Sequence, residues 1–199
     1  MYFSDVLVNK WSPGMEMETR YRQYQQNPSR GLLPWCDALY FAWIEAVKAH
    51  DEERVEWCEK RFSFMHKSLI EYASLPRISA SLAAHVAILL KDWHPTLVPF
   101  SRTETAMIQV AVGRAVHVGL ERTTSIMSED RILLDLVAAD IRPRPIAEKA
   151  LTEATIYVHA IQDKRWLHWA CERLARLHRA HRHYVQGAYW SYQAKYVCV

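Results

Sequence analysis

Near the end of the chain, Arg173, Arg176, Arg179 and Arg182 recur at intervals of three, preceded by Lys164 and Arg165. Guanidinium groups grip phosphate oxygens in a planar, two-pronged way that an ammonium cannot. Steps of three turn about −60° each on a helix, so the four arginines fan over half a circumference rather than forming a line. That fan suits a helix touching several phosphates of a nucleic-acid groove. Trp166, Trp169, Tyr184, Tyr189, Trp190, Tyr192 and Tyr196 flank it with rings that can stack on unpaired bases. Lys164, Arg165, Arg173, Arg176, Arg179 and Arg182 are therefore the candidate phosphate contacts, with Trp169 and Trp190 as candidate stacking residues. A solvated basic face whose aromatics pack inward would satisfy the same pattern without any partner.

The same stretch contains His168, Cys171, His178, His181 and His183. Zinc needs four ligands arranged as a tetrahedron, and residues of one rigid helix cannot supply all four. With no CxxC pair among the four cysteines, the histidines are better read as groups that add charge as pH falls through about 6.5. His85, His117 and His159 each sit in an apolar segment, and three imidazoles from three helices could converge on a haem or a metal. The simpler reading is three separately satisfied histidines, so no cofactor is expected. His50-Asp51-Glu52 matches half of a zinc-deaminase signature but lacks its PCxxC partner. No GxSxG elbow, phosphate-binding glycine loop, HExxH or dinucleotide fingerprint occurs. Glu52-Glu53 and Glu129-Asp130 are adjacent and diverge on a helix, which suits helix starts better than acid–base catalysis.

The elements that would carry these residues are helices. Glycine is scarce at five residues, too few for the left-handed turns of a sandwich or barrel. Tyr2 to Val8 reads as a short extended arm before the turn Ser12-Pro13-Gly14. Met15 to Gln26 is polar and helix-compatible, ended by Asn27-Pro28 and a loop through Gly31. Pro34 suits the first turn of the next helix, along which Cys36, Leu39, Trp43 and Val47 recur. Asp51 caps a third, whose Val55, Cys58, Phe62, Met65, Leu69 and Tyr72 form a heptad-like stripe fitting a helical hairpin or a partner helix. Ile78 to Trp93 is apolar almost all round, hence central. Ser101 and Glu104 have capping-box spacing, although the valines from Met107 to Val118 favour a strand. Ser128 opens another helix, Ile146 to Ile161 forms the next, and Asp163 begins a last one running to about Lys195, with Gly187 as its expected bend.

The expected architecture is an all-α, single-domain bundle of about seven or eight helices, with residues 1–33 as arm and polar helix and 34–199 as the helical domain. Residues 164–195 hold seven basic side chains against Glu172 alone, a local +6 on a chain whose net charge is +3. This split points to DNA, RNA or an acidic protein surface as partner, or to self-association. The N-terminus has no charged leader before an apolar stretch, and the longest uncharged run, Ile78 to Leu90, has thirteen residues. Reduced thiols, a cytoplasmic location and no transmembrane segment are expected. The functional expectation is a non-enzymatic binding protein, nucleic-acid-associated in a regulatory, replicative or packaging role. The alternatives are a protein-interaction module (adaptor, inhibitor or self-assembling subunit) and a haem- or metal-binding bundle.

Overall fold

The computed structural model describes residues 14–93 and 99–196; the N-terminal arm and Cys198 lie outside them. Every regular element among the described residues is helical: α1 (Met15–Gln26), α2 (Pro28–Lys48), α3 (Glu52–Ala73), α4 (Ala80–Asp92), α5 (Arg102–Arg122), α6 (Glu129–Ile141), α7 (Arg144–Tyr157), a 3₁₀ turn (Val158–Ala160), α8 (Lys164–Ala180) and α9 (Tyr184–Tyr196). None is long and apolar enough to cross a membrane. The chain divides into two compact units, Met1–Lys67 with Pro95–Pro99, and Ser68–His94 with Phe100–Val199. The expected boundary at 33/34 falls inside α2.

Helix starts follow local chemistry. Each first turn leaves amide donors without intrahelical acceptors, and a short polar side chain supplies one. Asp51 accepts from the Arg54 amide at 3.0 Å, Ser79 from Leu82 at 3.2 Å, Ser128 from Arg131 at 3.3 Å and Asp163 from Arg165 at 2.8 Å. Ser101 and Glu104 form the reciprocal capping box, with bonds of 2.9 and 3.2 Å. That box starts α5, and its valine-rich stretch is helical because Ile108, Ala111, Val112, Ala115 and Val116 bury one face. Burial of a helical stripe outweighs the weak β-preference of valine.

In the first unit α1 and α2 meet at a corner of one residue, Asn27. Proline stands at the start of α2, but it is Pro28, so the expected loop through Gly31 is helical and Pro34 lies inside α2. Gly31 permits this corner: a Cβ there would stand 2.5 Å from Tyr24 Cα. Trp35 is buried and donates from Nε1 to Met65 Sδ at 3.0 Å, and Trp43 donates to Glu59 at 3.2 Å. Of the expected stripe on α3, Val55, Cys58, Phe62 and Met65 are buried in this unit; Leu69, buried, and Tyr72, half-buried, belong to the second.

In the second unit α4 and α6 are the core. Ala83–Leu90 and Ile132–Ala139 are buried without interruption. α4 packs on α5 and α6, α6 also on α7 and α8, and α8 on α9. Gly119 lets α5 approach both core helices, since a Cβ there would stand 2.8 Å from Leu134 and 3.0 Å from Ala83.

Candidate functional site

The basic C-terminal segment is two helices rather than one. α8 ends at Ala180, and Arg182 turns left-handed at φ 65°. The His183 amide then donates to the His178 carbonyl at 2.7 Å and the Arg182 amide to the Arg179 carbonyl at 3.0 Å. This nested pair satisfies the last carbonyls and normally centres on glycine, which pays no Cβ penalty at positive φ. The break falls five residues before the expected bend at Gly187. Gly187 instead lies where α9 crosses α8: a Cβ there would stand 2.7 Å from Arg179 Cγ and 3.2 Å from the Ala175 carbonyl oxygen.

A hydrogen-bond relay closes the elbow. Thr155 Oγ1 on α7 donates to the Leu151 carbonyl at 2.6 Å, so it accepts from His178 Nε2 at 2.9 Å. Nδ1 of His178 is then a lone-pair acceptor for His183 Nδ1–H at 3.3 Å. A proton on His178 would set two N–H groups face to face. Burial, then the neighbouring charges of His183 and His181, hold His178 below the ordinary imidazole range. Glu148 on α7 lies in the same field; its carboxyl is held low by the Arg144 hydrogen bond first, and also by His181 and His183.

The candidate arginines separate by helix phase. Arg173 is buried, and its Nη2 spans both oxygens of Asp92 on α4 at 2.5 and 2.6 Å. Its Nη1 reaches Asp140 on α6 at 3.2 Å, and its guanidinium lies 5.0 Å from the Trp169 ring centre. Asp140 also takes Lys91 at 2.9 Å and Arg176 at 3.4 Å. Arg173 thus ties three helices together and presents nothing to a phosphate. Trp169 and Trp190 are buried too, Trp190 against His159 at 5.7 Å. The sequence holds the signal for Arg173: Trp166, Ala170, Arg173 and Leu177 share one helical stripe, three of its four members apolar.

The exposed cations are Lys164, Arg165, Arg176, Arg179, Arg182 and Lys195. Arg165 pairs with its own cap, Asp163, at 3.1 Å, and Arg179 donates to Ser191 Oγ on α9. The exposed aromatic face belongs to α9 and is made by tyrosines of the flanking set, not by Trp169 or Trp190. Gly187, Trp190 and Ala194 form its buried side. Val185, Tyr189, Tyr192 and Tyr196 fall within about 60° of one another on the opposite side, where the three tyrosines are 49, 58 and 60 % exposed. Tyr192 and Tyr196 lie 4.9 Å apart, Lys195 lies 5.0 Å from the Tyr196 ring centre, and α9 contains no acid.

The other histidines stand apart. His85 is buried edge-on to Trp166 at 5.0 Å, His117 is exposed beside Glu121 at 3.4 Å, and His159 is exposed. These are three different surroundings, so the convergence on a cofactor is not formed. Among the described residues no group of three or more His, Cys, Asp or Glu side chains is placed to hold a metal. Cys36, Cys58 and Cys171 are buried and form no disulfide among the described residues, and burial pushes the Cys58 thiol up to about 12, which keeps it protonated and unreactive. Comparison of the chain with protein-family models, with curated proteins and with solved structures finds no match.

Proposed function

We propose that the protein is a non-enzymatic binding protein whose α8–α9 hairpin holds single-stranded nucleic acid. The observation that carries this reading is the tyrosine stripe of α9, exposed on an acid-free helix that also carries Lys195. Exposed aromatic rings accept any base by stacking, and flanking cations track the backbone. Double-stranded DNA fits less well, because the arginine fan that would follow a groove has lost Arg173 to the interior and ends at Arg179, where the helix stops. The contact set is accordingly Lys164, Arg165, Arg176, Arg179, Arg182 and Lys195 for phosphates, with Tyr189, Tyr192 and Tyr196 in place of Trp169 and Trp190.

Fluorescence anisotropy with a labelled single-stranded oligonucleotide tests this. Affinity should fall with salt at a log–log slope of about −0.7 per phosphate contact. Tyr189→Ala and Tyr192→Ala should each cost about 1–3 kcal/mol of binding. No binding at low salt, or binding indifferent to both substitutions, overturns the proposal.

A second reading has its own support. Val185, Tyr189, Tyr192 and Tyr196 follow the 4-3-4 spacing of a helix–helix seam, which suits a second copy or a partner helix. Light scattering across a concentration series separates the two: a dimer lost in Tyr192→Arg favours the seam, and a monomer throughout favours the nucleic-acid surface.

A further inference from the structure

A second place in the fold has the makings of a binding site. A cleft of about 490 Å³ opens between α4, α5 and the end of α6, lined by Leu90, Phe100, Ile108, Val112 and Ile141. That volume lies within the range of small-molecule pockets, roughly 300–1,000 Å³. Its wall carries two cations, Lys91 and Arg142, and no acid. Lys91 is tied to Asp140 at 2.9 Å, a carboxylate it shares with Arg173 and Arg176. Arg142 is half-buried at the end of α6 and forms no ion pair among the described residues. Thr105 and Gln109, one turn apart near the start of α5, add polar groups to the same wall. Gly113 also lines the cleft, and a Cβ there would meet nothing within 4 Å, so helix packing does not require the glycine. In a helix interior it costs about 1 kcal/mol relative to alanine, and what it does supply is open volume.

We infer that this cleft binds a small amphipathic monoanion, a carboxylate or comparable acid with a medium-length apolar tail. The tail lies among Leu90, Ile108 and Val112, and the head group meets Arg142. An apolar wall with one uncompensated guanidinium disfavours cations, which would face Arg142 unshielded. Neutral molecules of the same shape leave that guanidinium without the charge-assisted bond an acid supplies.

Calorimetric titration of the whole chain with decanoate, decanol and decyltrimethylammonium tests the assignment. Decanoate should saturate stoichiometrically, decanol should bind at least about tenfold more weakly, and the cation should not bind. Arg142→Gln should weaken decanoate at least about tenfold and leave decanol unchanged. Gly113→Leu should abolish binding while the thermal transition is kept, and Gly113→Ala should bind normally. If Gly113→Leu does not fold, the ligand series and Arg142→Gln decide alone. Absence of saturable uptake by the parent chain, equal affinity for all three probes, or full affinity in folded Gly113→Leu overturns the inference.

Discussion

α8 and α9 belong to one basic, aromatic segment, yet they use their side chains in opposite ways. α8 turns Trp166, Trp169 and Arg173 inward and anchors itself to α4 and α6 through Asp92 and Asp140. α9 buries only Gly187, Trp190 and Ala194 and leaves its tyrosines bare. Residue type therefore does not tell a structural arginine from a ligand-facing one, or a core aromatic from a stacking one. The partners across the bundle do: α8 meets two carboxylates, while the outer side of α9 meets no described residue that buries it.

The two helices differ most at Arg173. Arg173→Leu takes the buried guanidinium away from Asp92 and Asp140, and urea denaturation should show a loss of about 3–5 kcal/mol. Arg176→Ala, on the exposed side of the same Asp140, should cost at most about 1 kcal/mol. Equal losses would mean that the inward arginine is no anchor.

Next comes the crossing of the two helices. Gly187→Ala places a methyl group against the Ala175 carbonyl and the Arg179 stem. Such overpacking costs about 1–3 kcal/mol, and protection of the α9 amides in hydrogen exchange should fall before that of α8.

A change of pH reads the elbow without any substitution. The folded state holds His178 below its unfolded value, so the unfolded chain binds that proton more readily. Stability should fall as pH drops through about 6.5 and stop falling below the lowered folded value. Asp135 titrates in the opposite sense: burial, opposed in part by Arg131, holds its carboxyl up at about 6. Its contribution is present at low pH and lost as pH rises through that value. The difference between the parent and His178→Gln isolates the histidine; identical pH profiles would remove the relay from the account.

The smallest effect is a gain. Arg182→Gly relieves a positive φ at the elbow, and thermal unfolding should show up to about 1 kcal/mol of added stability. The proposed nucleic-acid binding should weaken slightly in the same variant, because one exposed cation is lost. A loss of stability would show that the Arg182 side chain makes up for its own strain.

Much of this molecule is legible from the sequence because helix starts are local decisions. Asp51, Ser101 with Glu104, Ser128 and Asp163 each act on amides two or three residues away. Periodicity likewise marks α4 as the buried element and α3 as amphipathic. The helix of Pro28 to Lys48 begins earlier than its loop-like composition suggests, since the close approach of Tyr24 rather than a turn is what Gly31 serves.

What the sequence by itself determined is the all-helical class, most helix starts and the concentration of positive charge from residue 164 onward. Only the tertiary structure decided how that charge is used. Arg173 finds Asp92 across 81 residues of chain, and no local pattern encodes that pairing. The elbow lacks the glycine or proline that would announce it; it forms because α9 gains more by burying Gly187, Trp190 and Ala194 than Arg182 loses by turning left-handed. Burial and long-range pairing are set by the assembled helices together, so which side chains remain for a partner is known only once the bundle is built.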